Sequence, residues 1–380
     1  MWFGTLIIKN IVRRPLRSVL TILAIALAIG SVVSLVGISS GFERTFLSIY
    51  NRKGVDIIVV RSGATQRLSS ALPQHLGDKI RTLDGVKEII PGLIDVISMD
   101  NGRIPSVVLQ GWIPETAVFD HLTVLRGRLL NRYDTRSVML GTVLARNLGK
   151  DVGDKIQLVE DGDFFDVVGV HETHNVFENG ALVISLPELQ KLMDRKNQVT
   201  GYSVILDPEM KKSDPELVSK IRHQIESMEK NISAMGSQDH VQSLTEIRIV
   251  KAMAWLTSAI ALAIGLFGVM NTMVMAVSER TKEIGILRAV GWRPGRVLKL
   301  VLLEAVLLSL IGAILGVVGS VALVQSLTRL PQVSGLIDPN ISPIFFLYGF
   351  VIAAVVGLVG GILPARRASR MLPTAALRQE

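Results

Sequence analysis

The stretch SVLTILAIALAIGSVVSLVGISSGF, residues 18–42, runs without a single Asp, Glu, Lys or Arg. A helix of ~20 apolar residues spans a bilayer core of about 30 Å, and helices in soluble cores rarely reach such a length. Three more uncharged, strongly apolar stretches follow, at residues 252–278, 305–328 and 339–365. Each is long enough to span, so the expected fold class is a membrane protein with four transmembrane α-helices. The composition agrees. Of 380 residues, 49% are hydrophobic and only 19% charged, and the mean hydropathy is +0.43. These values exclude an ordinary soluble enzyme, and they exclude disorder, which goes with a poverty of apolar residues.

The basic start of the first stretch (Lys9, Arg13, Arg14, Arg17) resembles a signal peptide. Its apolar part is too long for a signal h-region of about 7–15 residues, and no A-x-A site follows. An uncleaved first span is expected. Lys and Arg near the spans set the orientation. The N-terminal segment 1–17 carries those four and no acid. The loop at 279–299 carries Arg280, Lys282, Arg288, Arg293, Arg296 and Lys299, and the tail at 366–380 carries Arg366, Arg367, Arg370 and Arg378. Between the third and fourth spans stands only Arg329. Both termini are therefore expected to be cytoplasmic, with residues 43–251 outside. That outer segment holds 26 Lys and Arg against 28 Asp and Glu, whereas the whole chain is +8. The excess lies in the flanks of the spans, which argues for a lipid bilayer and against a nucleic-acid partner.

Residues 43–251 read as a mixed α/β domain. Val55-Asp-Ile-Ile-Val-Val60 is strand-like, a helix is expected from about Pro73 to Leu83, and a second strand-like run from Val86 to Met99 is broken by Pro91-Gly92. The order recurs near the end: a strand at Tyr202 to Leu206, a helix started by Asp214-Pro215 and reaching about Met228, and a short strand at Ile232 to Met235. Two βαβ-like units thus flank an insert at about 103–198, rich in strands (Val107–Gln110, Ser137–Leu140, Lys155–Leu158, Phe164–Val170) and punctuated by glycines. The plan is a split α/β domain with a small β-rich subdomain inserted into it.

This segment offers little catalytic chemistry. His171-Glu-Thr-His174 lacks the i, i+4 spacing that puts two imidazoles on one helix face, so solvated loop histidines are expected and a metal is not. Asp161 and Asp163 flank Gly162 as turn residues, and no G-x-S-x-G elbow occurs within residues 43–251. The chain has no Cys and so no disulfides, which fits an exported domain that relies on its core. No catalytic residue is assigned.

Helices in lipid approach one another through small residues. Gly30 in the first span, Gly265 and Gly268 in the second, and Gly312 and Gly316 in the third are expected to pack a bundle and to support a homodimer. Glu304 is the acidic residue directly before the third span. It lies about one turn after Lys299, which favours hydrogen bonding or pairing with Arg over proton or substrate handling. In the loop Ser278-Glu-Arg-Thr-Lys-Glu-Ile-Gly-Ile-Leu-Arg-Ala-Val-Gly291, Glu279 and Glu283 come early and Arg288 late, as suits a helix dipole. Ile284, Leu287 and Val290 form an apolar strip, and Gly291 and Pro294 end the helix. Such a helix either lies on lipid or docks on a cytoplasmic partner, and the mixed charge favours a protein groove. No G-x-x-x-x-G-K-[ST] occurs, so the chain has no P-loop and any ATPase is a separate subunit.

That loop, followed by Leu303-Glu304-Ala305 and a glycine-rich span, resembles the FtsX/MacB-type ABC transporter permeases, also called the type VII ABC family. The opening Asn10-Ile-Val-Arg-Arg-Pro-Leu-Arg17 and the ending from Pro364-Ala-Arg-Arg-Ala-Ser-Arg-Met-Leu-Pro373 through Ala376-Leu-Arg378 are similar to the same family. Gly127-Arg128, Gly141, Ala145, Leu148-Gly149 and Val152-Gly-Asp-Lys-Ile156 resemble the MacB-like periplasmic core domain. The resemblance implies a homodimer of permeases in the inner membrane above two ATPase subunits, which hold the ATP and Mg. It also implies a coupling helix that docks on the ATPase through Glu279, Arg280, Glu283, Ile284, Leu287, Arg288 and Val290. The family exports hydrophobic or amphiphilic substrates or transmits force to its outer domain. A periplasmic adaptor and an outer-membrane channel are further partners in its tripartite members.

Overall fold

The structure, a computed structural model, describes residues 15–63, 70–99, 104–159, 162–173, 175–328 and 342–372. Lys9, Arg13, Arg14, Asp161, His174, Arg329, the first residues of the fourth apolar stretch and the motif from Pro373 to Arg378 lie outside them. The chain divides into a helical unit and an α/β domain spanning Phe42–Arg248. Helix α1 (Pro15–Arg52) contributes its first part to the former and its last turns to the latter.

In the domain, β1 (Ile57–Arg61), β2 (Leu72–Pro73), α2 (Leu76–Arg81), β3 (Val86–Met99) and β4 (Ile104–Trp112) come first. A 3-10 turn at Phe119–His121 leads to β5 (Thr123–Gly127), β6 (Ser137–Gly141), α3 (Thr142–Leu148), β7 (Lys155–Gln157), β8 (Phe164–Glu172), α4 (Val176–Asn179) and β9 (Leu182–Ser185). The chain continues through α5 (Leu186–Leu192), β10 (Gln198–Val199), β11 (Gly201–Leu206), α6 (Pro208–Ser213), α7 (Leu217–Met228), β12 (Ile232–Gly236) and α8 (Ser237–Ser243).

The main sheet has the order β12-β1-β11-β3-β4-β9-β6-β8-β5, with β7 on β8. Its first four strands are two interleaved βαβ units: β1 and β3 each pair antiparallel with β11, which lies between them, and β1 separates β11 from β12. Ile57–Val60 is apolar without alternation because β1 is central and covered on both faces. The β-rich insert is joined to the rest of the domain through one sheet. β4 pairs antiparallel with β3 and parallel with β9, and so carries the same sheet outward. One apolar core runs without a break from Leu76, Ile80 and Tyr202 to Leu140, Val167 and Leu182.

Other differences have local causes. β3 passes straight through Pro91-Gly92, because Gly92 faces Trp112, whose indole occupies the space a Cβ would take. The helix placed at Pro73–Leu83 shrinks to α2, since Leu72–Pro73 pairs with β10 and Tyr202 Oη donates to Pro73 O. Asp207-Pro208, not Asp214-Pro215, forms the capped helix start: Asp207 accepts from the N–H groups of Glu209 (2.8 Å) and Met210 (3.3 Å). Asp214 instead braces the turn before α7 by accepting from Glu216 N at 3.0 Å.

The helical unit contains α9 (Thr245–Glu279), α10 (Thr281–Ala289), α11 (Pro294–Thr328) and α12 (Pro343–Ser369). Four described helices are long and apolar enough to cross a membrane. They overrun the apolar stretches, because backbone hydrogen bonding continues where hydropathy ends: α11 starts at Pro294 and not near 305. Pro364 does not end the fourth helix, which runs on to Ser369 with Arg366 and Arg367 in its last turn, where the dipole favours them.

The glycines mark contacts inside the chain. A Cβ on Gly316 would stand 2.6 Å from Ala26 O and 2.9 Å from Gly30 N, and one on Gly312 would stand 2.9 Å from Ile22 O. A Cβ on Gly265 would meet that of Ala28 at 2.8 Å, while Gly268 leaves an ordinary 3.5 Å to Ala24. Helix α1 thus lies against α11 and α9 of its own chain. The homodimer expected from these residues draws no support from them.

Candidate functional site

Between the second and third spans the backbone breaks at Arg280 and restarts as α10. Two buried anchors fix this helix. The Arg280 guanidinium donates from Nη1 to both carboxylate oxygens of Glu304, at 3.1 and 2.9 Å, with the side chains 17% and 9% exposed. Glu283 adds a weaker contact with Arg280 Nε at 3.6 Å. Ile284 enters the apolar core with Val277, Val297 and Val301. The end of α10 is a Schellman turn: Gly291 takes φ +98°, its N–H reaches Arg288 O (3.1 Å) and the Trp292 N–H reaches Leu287 O (3.1 Å). Arg288 Nη1 then donates to Trp292 O at 3.0 Å.

The strip expected from Ile284, Leu287 and Val290 is therefore not one surface. Ile284 is buried and Leu287 half-buried, while Ile286 (52%) and Val290 (77%) are exposed. Sequence spacing selected one face of an isolated helix, but the neighbouring spans cover that face. The open face instead carries Lys282, Glu283, Ile286 and Val290, with Glu279 exposed just before the break. Arg280 is engaged inward and Arg288 is tied to its own turn, so neither belongs to the open face. Ile286 was missed; its i, i+4 relation to Val290 was the available signal.

The α/β domain holds a second constellation, which the sequence reading missed. Over its last turns α1 is fastened to the segment 173–179. Phe42, Phe46 and Phe177 form a ring cluster with centroids 4.8 to 5.9 Å apart. Asn175 Nδ2 donates to Thr45 O at 3.3 Å. Lys53 Nζ meets Glu178 Oε1 at 2.5 Å with both side chains about nine-tenths buried, and the ammonium lies 5.6 Å over the Trp112 ring. Asn179 braces the segment by accepting from Thr173 N (2.6 Å) and donating to Thr173 O (2.9 Å).

His171 is not the solvated loop residue expected. β8 extends to Glu172, which turns His171 inward to 1% exposure. Burial pushes its pKa down from 6.5 to about 4, against the pull of nearby Glu178. Among the described residues no cluster of three or more His, Asp or Glu is placed to hold a metal ion. The folded state keeps His171 neutral, whereas the unfolded chain protonates it below pH 6.5. Stability should therefore fall as pH drops from 6.5 towards 4, by roughly 3 kcal/mol in all. Thermal unfolding of the full chain at pH 7.5 and 4.5 checks this. His171→Leu should flatten the response, and an unchanged response in that variant would place its source elsewhere.

A bundle of four spans with a large α/β domain between the first two is the plan of a membrane transport subunit rather than of a soluble catalyst. The MacB-like periplasmic core domain model matches residues 18–224, and the FtsX-like permease C-terminal model matches residues 255–373. The chain belongs to the FtsX/MacB-type permeases of ABC transporters. It is similar to the macrolide export ATP-binding/permease protein MacB of Brucella abortus, with 29% identity over 96% of this chain and 58% of that protein. It is also similar to MacB of Bdellovibrio bacteriovorus, with 27% identity over 98% of this chain and 61% of that protein. The chain thus spans about three-fifths of the length of these relatives. Among solved structures, the periplasmic region of MacB from Actinobacillus actinomycetemcomitans matches 51% of this chain and 95% of that one at 16% identity and a TM-score of 0.40.

Proposed function

We propose that this chain is the permease subunit of an ABC complex that couples ATP hydrolysis by a separate ATPase subunit to movement of its α/β domain, for export or extraction of a hydrophobic or amphiphilic substrate. It works as a homodimer in the bacterial inner membrane with both termini cytoplasmic, and ATP and Mg belong to the ATPase. The observation that carries this reading is α10. It is a short helix clamped from behind by Arg280–Glu304 and Ile284 and open in front with two apolar and two charged side chains. A free helix would bury Ile286 and Val290; a braced one presents them to a partner groove. The basic flanks support the orientation. The relatives' name joins ATP binding, permease and macrolide export in one protein, which supports an ATP-driven exporter.

A second reading, a regulatory scaffold that transmits force without transporting, is favoured by the unbroken course of α1 and α9. Both readings place the ATPase on α10. In the complex co-expressed with its ATPase, Ile286→Asp and Val290→Asp should abolish co-purification of the ATPase, and Glu283→Lys should weaken it. Membrane insertion should be unaffected, because all three side chains are exposed. Full co-purification and unchanged ATP turnover in all three variants would remove α10 as the contact.

A further inference from the structure

We propose that the cleft beside Lys53 in the α/β domain binds the anionic head of an amphiphile. Residues 43–251 carry slightly more acid than base. Yet a cleft of about 780 Å³ gathers Arg52, Lys53, Lys87, Lys211 and Lys212 against only Asp56 and Glu88. This volume lies in the range of small-molecule sites, about 300–1,000 Å³.

The five cations come from three separate elements: the end of α1 and the residue after it, β3, and α6. Both carboxylates are engaged. Asp56 accepts from Leu206 N at 2.9 Å and pairs with Lys211, and Glu88 accepts from Ala117 N at 3.3 Å. Lys53 is held by Glu178, and Lys212 pairs with the exposed Glu209 at 2.9 Å. Arg52 and Lys87 have no ion pair among the described residues. A basic residue in the last turn of α1 is explained by the helix dipole. The same holds for Lys211 and Lys212 in the last turn of α6 but not for Lys87, which stands in a strand. The Asp207 cap fixes α6, so Lys211 and Lys212 are presented from an ordered turn.

The floor is apolar, with Val55, Ile205 and Leu206 lining it. A guanidinium fork with nearby ammonium groups suits a phosphate or carboxylate, and the floor suits the first methylenes of a tail. A smaller cleft of about 220 Å³ shares Arg52, Lys53 and His121 and reaches Thr173, Asn175 and Glu178. An occupant long enough to extend into this smaller cleft would touch the segment that fastens α1. This inference rests on the amphiphile reading of the function, and its binding readout is independent of ATPase capture.

The full chain in dodecyl maltoside is titrated with dioctanoyl phosphatidylglycerol, dioctanoyl phosphatidylcholine and inorganic phosphate, and binding is read by native mass spectrometry. Phosphatidylglycerol should bind, phosphatidylcholine should bind about tenfold less, and Arg52→Gln/Lys87→Gln should weaken phosphatidylglycerol about tenfold. The control Arg366→Gln/Arg367→Gln, on the fourth spanning helix, should leave it unchanged. Equal binding of the two lipids, or full binding by Arg52→Gln/Lys87→Gln, overturns the site. Phosphate binding as tight as the lipid overturns the amphiphile and leaves a simple anion site. Loss of lipid binding alongside intact ATPase capture would separate this site from the α10 contact, and failure of ATPase capture with lipid binding intact would leave the site standing.

Discussion

Lys53→Met is expected to cost the α/β domain about 3–5 kcal/mol, because it strands the Glu178 carboxylate in the interior with no counter-charge. Glu178→Met should cost a similar amount by stranding the ammonium, which then keeps, among the described residues, the face of Trp112. The pair itself is a different matter. Removing two charges from water opposes their attraction, so the double replacement Lys53→Met/Glu178→Met, of similar volume and apolar, should recover most of the loss. Denaturant unfolding of the full chain in detergent, followed by circular dichroism, gives the four corners of the cycle. Single variants within about 1 kcal/mol of the parent would show that water reaches the pair and that it does not fasten α1.

The sign of that cycle bears on function. If the pair adds little net stability but each half alone is ruinous, its effect is on geometry: Lys53 follows the last residue of α1, and Glu178 lies in the short helix α4. With the Phe42–Phe46–Phe177 cluster and the Asn175–Thr45 bond, it ties the end of α1 to the segment beside the sheet region built from β6, β8 and β9.

Much of this was legible in sequence, and the limits have physical causes. Four apolar stretches announced four spans, because hydropathy over twenty residues has no competing explanation. The interleaved units around β1 and β11 showed in the repeated strand–helix–strand order. What the chain could not show was partnership at a distance. Val86 to Met99 looked broken because Pro91-Gly92 usually turns a chain, whereas here the bulk of Trp112 sets the need for glycine. His171 looked solvated because its neighbours are polar, whereas β8 buries it. The strip on α10 was chosen by helical spacing, which says that residues share a face but not whether that face is already covered. Lys53 and Glu178 lie 125 positions apart, and nothing local in either segment points to the other.

Glu304→Met should free α10 from the bundle. Glu304 is buried in α11 and is the acceptor for both Arg280 bonds, so its removal leaves the guanidinium, among the described residues, with the 3.6 Å contact to Glu283. An unpaired buried guanidinium costs about 3–5 kcal/mol, and the cheapest relief is for Arg280 to swing outward. The break between α9 and α10 lies at Arg280 itself, so that movement carries α10 away from the core and draws Ile284 out with it. The expected result is a folded bundle with a loosened loop. Limited trypsin digestion should then cut at Lys282 and Arg288 about tenfold faster than in the parent, while the spans remain protected. Arg280→Met/Glu304→Met removes the stranded charge but also the tether, so it should restore thermal stability without restoring protection of the loop. That split separates a tether from a merely stabilising pair. If the double variant regains both stability and protection, Ile284 alone holds α10, and the ion pair has no part in keeping Ile286 and Val290 on the open face.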